Sequence, residues 1–146
     1  MIRRKDGTVL IETEIDIDLS EQDIKETDFR GLYIEGGNLS DSDLRGSDFS
    51  DAHLYKTYVY RADCSGCNFT RALLQGVVLD EVTLIGANFT GTRLLVDNMG
   101  GRCSLLGTDL RTVDLESAIL TGCKYDSTTL FPVNFDPVAH GMVRVN

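Results

Sequence analysis

The sequence predicts an all-β solenoid in which the chain turns a corner every five residues. From Ile17 onward a large apolar residue recurs at every fifth position, as at Leu39, Leu44, Phe49 and Leu54. An amphipathic helix repeats every 3.6 residues and a half-buried strand every 2, so neither accounts for this spacing. The first position of each unit, two residues before the large one, is mostly small: Ala52, Ala62, Ala72, Thr27, Thr57, Ser42, Ser47 and Cys67 among others. Two inward positions in five, one large and one small, cannot lie on a straight strand, which would bury alternate residues without end.

The elements follow in chain order. Residues 1–16 read as an N-terminal cap: "IRRKDGTVLI" has the pattern of a hairpin, with Asp6-Gly7 supplying the positive φ of a tight turn. Five-residue units then run unbroken from Ile17 to Gly101, Arg102 shifts the phase by one residue, and units resume from Cys103 to Pro132. The expected repeat body is therefore 17–132, with a one-residue bulge near 100–102. Residues 133–146 form a C-terminal cap. Pro132 and Pro137 stop the ladder there, and Phe131 and Phe135 are placed to close the last coil. Both covers are needed because a solenoid exposes unpaired backbone and apolar side chains at its ends.

The tandem units resemble the pentapeptide-repeat family, whose consensus is A(D/N)LXX, over residues 17–132. The resemblance implies a right-handed quadrilateral parallel β-helix, the Rfr fold, with one unit per side and four per coil; right-handedness agrees with the general rule for parallel crossovers. Phenylalanines at 29, 49, 69 and 89 recur at every fourth unit, as rings stacked on one side of a four-sided coil require. With Arg102 as the only extra residue, this column continues through Leu110 and Leu130, its neighbour through Leu94 to Leu115, the next through Met99 to Leu120, and the last through Leu84 to Leu105 and Tyr125.

Candidate chemistry resolves mostly into structure. "CSGC", Cys64–Cys67, has redox spacing but lacks the helix N-terminus that would activate a thiol, and both cysteines fall on inward positions. Cys103 and Cys123 share a column in adjacent coils, about 4.8 Å apart at Cα, and are expected to be reduced thiols. His53 and His140 do not have the spacing of metal ligands, so no metal or other cofactor is expected. The acids Asp18, Asp23, Asp28, Asp43, Asp48 and Asp63 occupy the outward second position, where they bond turn backbone rather than act as acid/base pairs. With no nucleophile, base and oxyanion donor converging, no enzyme is predicted. Asp97 falls on an inward position beside "MGGR"; an unpaired buried carboxylate costs several kcal/mol, so Asp97, Gly100, Gly101 and Arg102 are expected to form an irregular bulge.

The surface is more informative. Two adjacent faces place aromatic and apolar residues on solvated positions: Tyr33, His53, Leu73, Tyr55 and Leu95 on one, Tyr58, Val78, Ile119 and Tyr60 on the next. Such a patch marks an interface, and tyrosine is enriched at interfaces. A scaffold that binds a protein partner is thus the expected role, and the same patch suits a homodimer. The alternative that the family resemblance implies is a DNA-mimicking protein that binds gyrase or another topoisomerase. The 14 basic and 23 acidic residues, net charge -9, disfavour binding to nucleic acid or an anionic membrane surface. The N-terminal sequence lacks the apolar core of a signal peptide, which makes the cytoplasm the expected compartment.

Overall fold

From Ile17 to Gly91 every unit makes one side of a coil by the same local device. Its second and third residues are extended, and its fifth takes a left-handed φ, +57° at Asp51, +56° at Arg71 and +68° at Gly66, which turns the chain through a corner. On three of the four sides the corner is a hydrogen-bonded β-turn, as in Ala52 N–H to Phe49 O (3.0 Å), Ala62 N–H to Val59 O (3.1 Å) and Cys67 N–H to Cys64 O (3.0 Å). Left-handed φ strains a residue with a Cβ, so glycine recurs at this position.

The computed structural model describes residues 2–4, 6–11 and 17–146. Residues 1, 5 and 12–16 of the expected N-terminal cap lie outside the described residues. Strands β1 (Ile2–Arg4) and β2 (Val9–Ile11) are antiparallel, and β1 also pairs antiparallel with β3 (Thr27–Asp28), so that a hairpin lies along the first coil. Strands β4 (Tyr33–Glu35), β5 (His53–Tyr55), β6 (Leu73–Gln75) and β7 (Arg93–Leu95) stack in parallel as one sheet, each residue opposite its counterpart one coil on: Tyr33 against His53, His53 against Leu73, Leu73 against Arg93. The other sides are single parallel bridges with the same offset, such as Asp48↔Asn68 and Tyr58↔Val78.

The core is a set of stacked columns. Phe29, Phe49, Phe69 and Phe89 are fully buried, with ring centroids 4.4, 4.9 and 5.0 Å apart along the column. Beside them run Ile34, Leu54, Leu74 and Leu94; Leu39, Val59 and Leu79; and Leu44, Cys64 and Leu84, all buried. These columns define four faces, those of Phe29, Ile34, Leu39 and Leu44. Small residues fill the corners, where their polar atoms bond backbone, as in Thr92 Oγ1–H to Phe69 O at 2.7 Å. All four cysteines are buried and free. Cys103 and Cys123 sit in one small-residue column, one coil apart, beside the Ser104↔Lys124 bridge. The adjacent Cys103 thiol and burial push the Cys123 thiol up.

The phase shift differs from the sequence reading. Val78 pairs with Ser104, Thr83 with Asp109 and Arg93 with Ile119, so each partner lies further along the chain than one regular coil would place it. Six residues, 97–102, therefore leave the stack, rather than Arg102 alone. The physical reason is Asp97: a regular unit from 97 to 101 would turn its carboxylate into the core. Every column beyond the insertion consequently moves by one face. Leu115, not Leu110, follows Phe89; Leu120 follows Leu94, Leu105 and Tyr125 follow Leu79, and Leu110 follows Leu84. Met99 is 80% exposed rather than core, and Ile119 belongs to the Ile34 face.

A second slip occurs at the C-terminal end. Asp109 pairs with Leu130, where a regular coil would bring Thr129. Phe131 thus takes the inward place expected of Leu130, which is 42% exposed. Tyr125, Phe131, Phe135 and His140 then form a continuous run of ring contacts, with centroids 5.4, 5.3 and 4.2 Å apart. Strand β9 (Val143–Arg144) pairs in parallel with β8 (Lys124–Tyr125) and covers the Leu39 face of the last coil.

Candidate protein-binding surface

The Ile34 face differs from the others because its units stay extended for three residues, and its sheet presents two straight outward rows. One row is Tyr33, His53, Leu73 and Arg93, continued by Ile119; the other is Glu35, Tyr55, Gln75 and Leu95. Side chains knit the rows together. The Tyr33 and His53 rings meet edge to face at 4.8 Å, His53 Nε2 lies 2.7 Å from Gln75 Oε1, and the Tyr33 hydroxyl donates to Glu35 Oε2 at 3.3 Å. Around the corner, on the Leu39 face, Tyr58 and Val78 stack in one row.

The insertion leaves the stack at the corner between these two faces. Asp97 organises it: Oδ1 accepts from the N–H of Met99 at 2.8 Å and of Gly101 at 2.7 Å, and the Asp97 N–H donates to Gly101 O at 2.7 Å. The carboxylate is buried, with Lys56 Nζ 3.8 Å away. Burial alone pushes its pKa up; the bonds from Gly101 and Met99 and the Lys56 charge outweigh that and hold it below the ordinary carboxylate range. The loop reaches back over an earlier coil, where the Tyr55 hydroxyl donates to Asn98 Oδ1 and Lys56 Nζ lies 3.0 Å from Met99 Sδ. Gly76 lies beneath the loop, and a Cβ there would sit 2.8 Å from Asp97 Oδ2.

The structure thus brings Tyr33, His53, Leu73, Ile119, Tyr55 and Leu95 onto one sheet, with Tyr58 and Val78 across the adjoining corner. Tyr33, Tyr58 and Ile119 are exposed; His53, Tyr55, Leu73, Val78 and Leu95 are half-buried. Tyr60 stands apart at the far corner of the Leu39 face, where Arg61 lies 4.7 Å over its ring and its hydroxyl donates to Glu81. Met99 and Val96 are exposed beside the patch; Val96 holds an outward position of its unit, but Met99 and the other residues of the insertion were not legible as a surface loop. Their signal lay in the splice: omitting 97–102 joins "TRLLV" to "CSLLG" in unbroken phase.

The remaining two faces are mainly polar, and several of their aspartates are paired with arginines. Arg30, Arg45 and Arg111 each pair at 2.7 Å with the aspartate two residues before them, Asp28, Asp43 and Asp109. Arg71 bridges coils to Asp51 at 2.6 Å, and Arg61, at the corner shared with the Leu39 face, does the same to Asp41 at 2.7 Å. Among the described residues there is no cluster of three metal-ligating side chains, and no helix is long and apolar enough to cross a membrane.

Comparison with known proteins supports this architecture. The family described as Pentapeptide repeats matches residues 15–51 and 60–94, with eight copies. A pentapeptide repeat protein from the Arabidopsis thaliana thylakoid lumen superposes with a TM-score of 0.55 at 20% identity, over 83% of this chain and 74% of that one. HetL of Nostoc sp. strain PCC 7120, a pentapeptide repeat protein involved in regulating heterocyst differentiation, gives 0.57 at 22% identity, over 90% and 66%. A further pentapeptide repeat protein of Nostoc gives 0.50 at 23% identity, over 89% and 86%. No curated protein sequence matches the chain significantly.

Proposed function

We infer the function of this chain from one premise: it belongs to the pentapeptide-repeat family, whose fold is a right-handed quadrilateral β-helix and whose members are generally non-enzymatic. We propose that it is a protein-binding scaffold that engages a protein partner through the Ile34 face and the adjoining corner. One observation carries this reading. Tyr55 from the second outward row, the exposed Tyr58 and the large insertion at 97–102 all meet at that corner, with the Tyr33 and His53 rings on the same sheet.

Physical chemistry favours this surface over the rest. A flat sheet whose backbone bonds are satisfied offers its side chains to a partner at little cost in ordering, because neighbours in the adjoining coils already fix them. Exposed tyrosines supply large contact area with few rotors, and Leu73, Leu95 and Ile119 add apolar surface on the same face. The DNA-mimicking alternative suits the polar faces less well, since a phosphate-like array needs uncompensated charge and four of the aspartates there are paired with arginines.

Affinity capture with wild-type chain and with a Tyr33→Ser/Tyr58→Ser bait tests the proposal. Both tyrosines are outward and exposed, so the variant is expected to keep its stability within about 0.5 kcal/mol of wild type while losing the partner. Equal recovery of the same partner by both folded baits would refute it.

A further inference from the structure

The last coil leaves one side of its ladder open. In the regular stack an outward residue donates to the small residue of the coil before it, as in Asp48 N–H to Thr27 O, and the following central residue donates to the coil after it, as in Phe49 N–H to Asn68 O. At the C-terminal end two sides find such partners, Leu110 N–H bonding Leu130 O and Val143 and Val145 N–H bonding the carbonyls of Cys123 and Tyr125, while the side from Ala118 to Gly122 is joined to the following chain at its corner, by Gly122 N–H to Gly141 O. The fourth side is Val113–Glu116. Among the described residues, the Leu115 N–H and the Val113 carbonyl that should meet a following coil have no hydrogen-bond partner.

The reason is the chain's exit. Past Phe131 the next side would lie over Val113–Glu116, but Pro132 diverts the chain into a turn closed by Phe135 N–H to Pro132 O. Between that turn and the open strand is a cleft of about 420 Å³, lined on one side by Val113–Glu116 and on the other by Pro132–Phe135 and His140. Its floor is apolar, with Leu115 and Phe135, and its outer rim is acidic. Asp114 and Glu116 are exposed and, unlike the aspartates of the polar faces, make no ion pair among the described residues.

We propose that this cleft is a second binding site, distinct from the tyrosine surface, which takes an extended basic segment of a partner protein as one added parallel strand. The segment continues the solenoid's own rule. Its outward residue donates N–H to the Val113 carbonyl and accepts from the Leu115 N–H, a large apolar residue follows and packs between Leu115 and Phe135, and lysine or arginine on the two outward positions faces Asp114 and Glu116. Main-chain bonds give the affinity of such strand addition and the alternating pockets give its selectivity.

The probe is the blocked, fluorescein-labelled peptide Thr-Lys-Phe-Lys-Gly, followed by amide NMR and fluorescence anisotropy. Binding in roughly the 0.1–1 mM range is expected for one short strand, with shifts centred on the Leu115 amide. Glu116→Lys, at an exposed side chain, is expected to weaken binding about tenfold with an unchanged circular dichroism spectrum. N-methylation of the first lysine, which removes the donor to Val113, is expected to abolish it. An unperturbed Leu115 amide, or binding indifferent to that N-methyl group, would overturn the proposal. So would a sedimentation dimer in which the free protein's Leu115 amide is already protected, since the edge would then belong to a second copy.

Discussion

Residues 17–94 and residues 97–146 follow the same repeat with different fidelity. In the first region every pairing joins residues one regular coil apart, and Phe29, Phe49 and Phe69 stack nearly face to face, at 4° and 8°, before Phe89 tilts by 45°. In the second the register slips at 97–102 and again before Leu130, phenylalanine gives way to Leu115, and one side of the final coil is left without a partner. The contrast shows that the solenoid tolerates a register change where side chains supply the missing backbone bonds. Asp97 does this for 97–102, and Asp126 for the turn before Thr129, where Oδ1 accepts from the N–H groups of Thr128 and Thr129.

The largest test of the contrast is in the core. Phe49→Ala, in the middle of the stacked column, is expected to cost about 3–5 kcal/mol by urea denaturation, whereas Leu115→Ala, bordering an open cleft that can relax, falls nearer 2. Equal costs would mean that the distal coil is packed as tightly as the regular one. Next comes the insertion. Asp97→Ala strips the acceptor from the Met99 and Gly101 N–H groups and is expected to cost about 1–3 kcal/mol. Hydrogen exchange should rise at those two amides and stay unchanged at Phe49; protection lost uniformly would contradict a local role.

Deleting 97–102 entirely is expected to have a smaller effect, because Val96 then precedes Cys103 in unbroken phase. Stability should stay within about 1 kcal/mol, as the shorter closure offsets the lost Asp97 bonds. Loss of cooperative unfolding would show that the loop is needed to join the two regions. The smallest effect is acid-dependent. The Thr128 hydroxyl bond, partly opposed by burial and reinforced by backbone N–H groups, holds Asp126 at about 2. Its folded pKa lies below its unfolded value, so its contribution is complete above the ordinary carboxylate pKa near 3.8 and fades as pH falls toward 2. Asp126→Asn should flatten the thermal midpoint between pH 4 and 2 relative to wild type; an identical slope would exclude it as a source.

The repeat body was legible because its signal is redundant: Phe29, Phe49, Phe69 and Phe89 each report the same coil. The tyrosine patch was legible for the same reason, since period and phase assign Tyr33, Tyr55 and Tyr58 to outward positions. Met99, Leu130 and Ile119 were misplaced because each lies beyond or within a point where the count slips. At Gly101-Arg102 the sequence allows one extra residue or six, and apolar Met99 satisfies the one-residue reading. Only the burial cost of Asp97 distinguishes them.

The sequence by itself determined the coil, its corners and the inward columns, because each is set by residues within one unit and their repetition at every fourth unit. The tertiary structure alone decided which face follows which beyond the insertion, that the loop folds back onto Tyr55 and Lys56, and that Val113–Glu116 is left as an open edge. These depend on partners a coil or more away, whose positions no local period encodes. A parallel solenoid satisfies its backbone only through the next coil, so its function is to be sought where that next coil is missing or displaced.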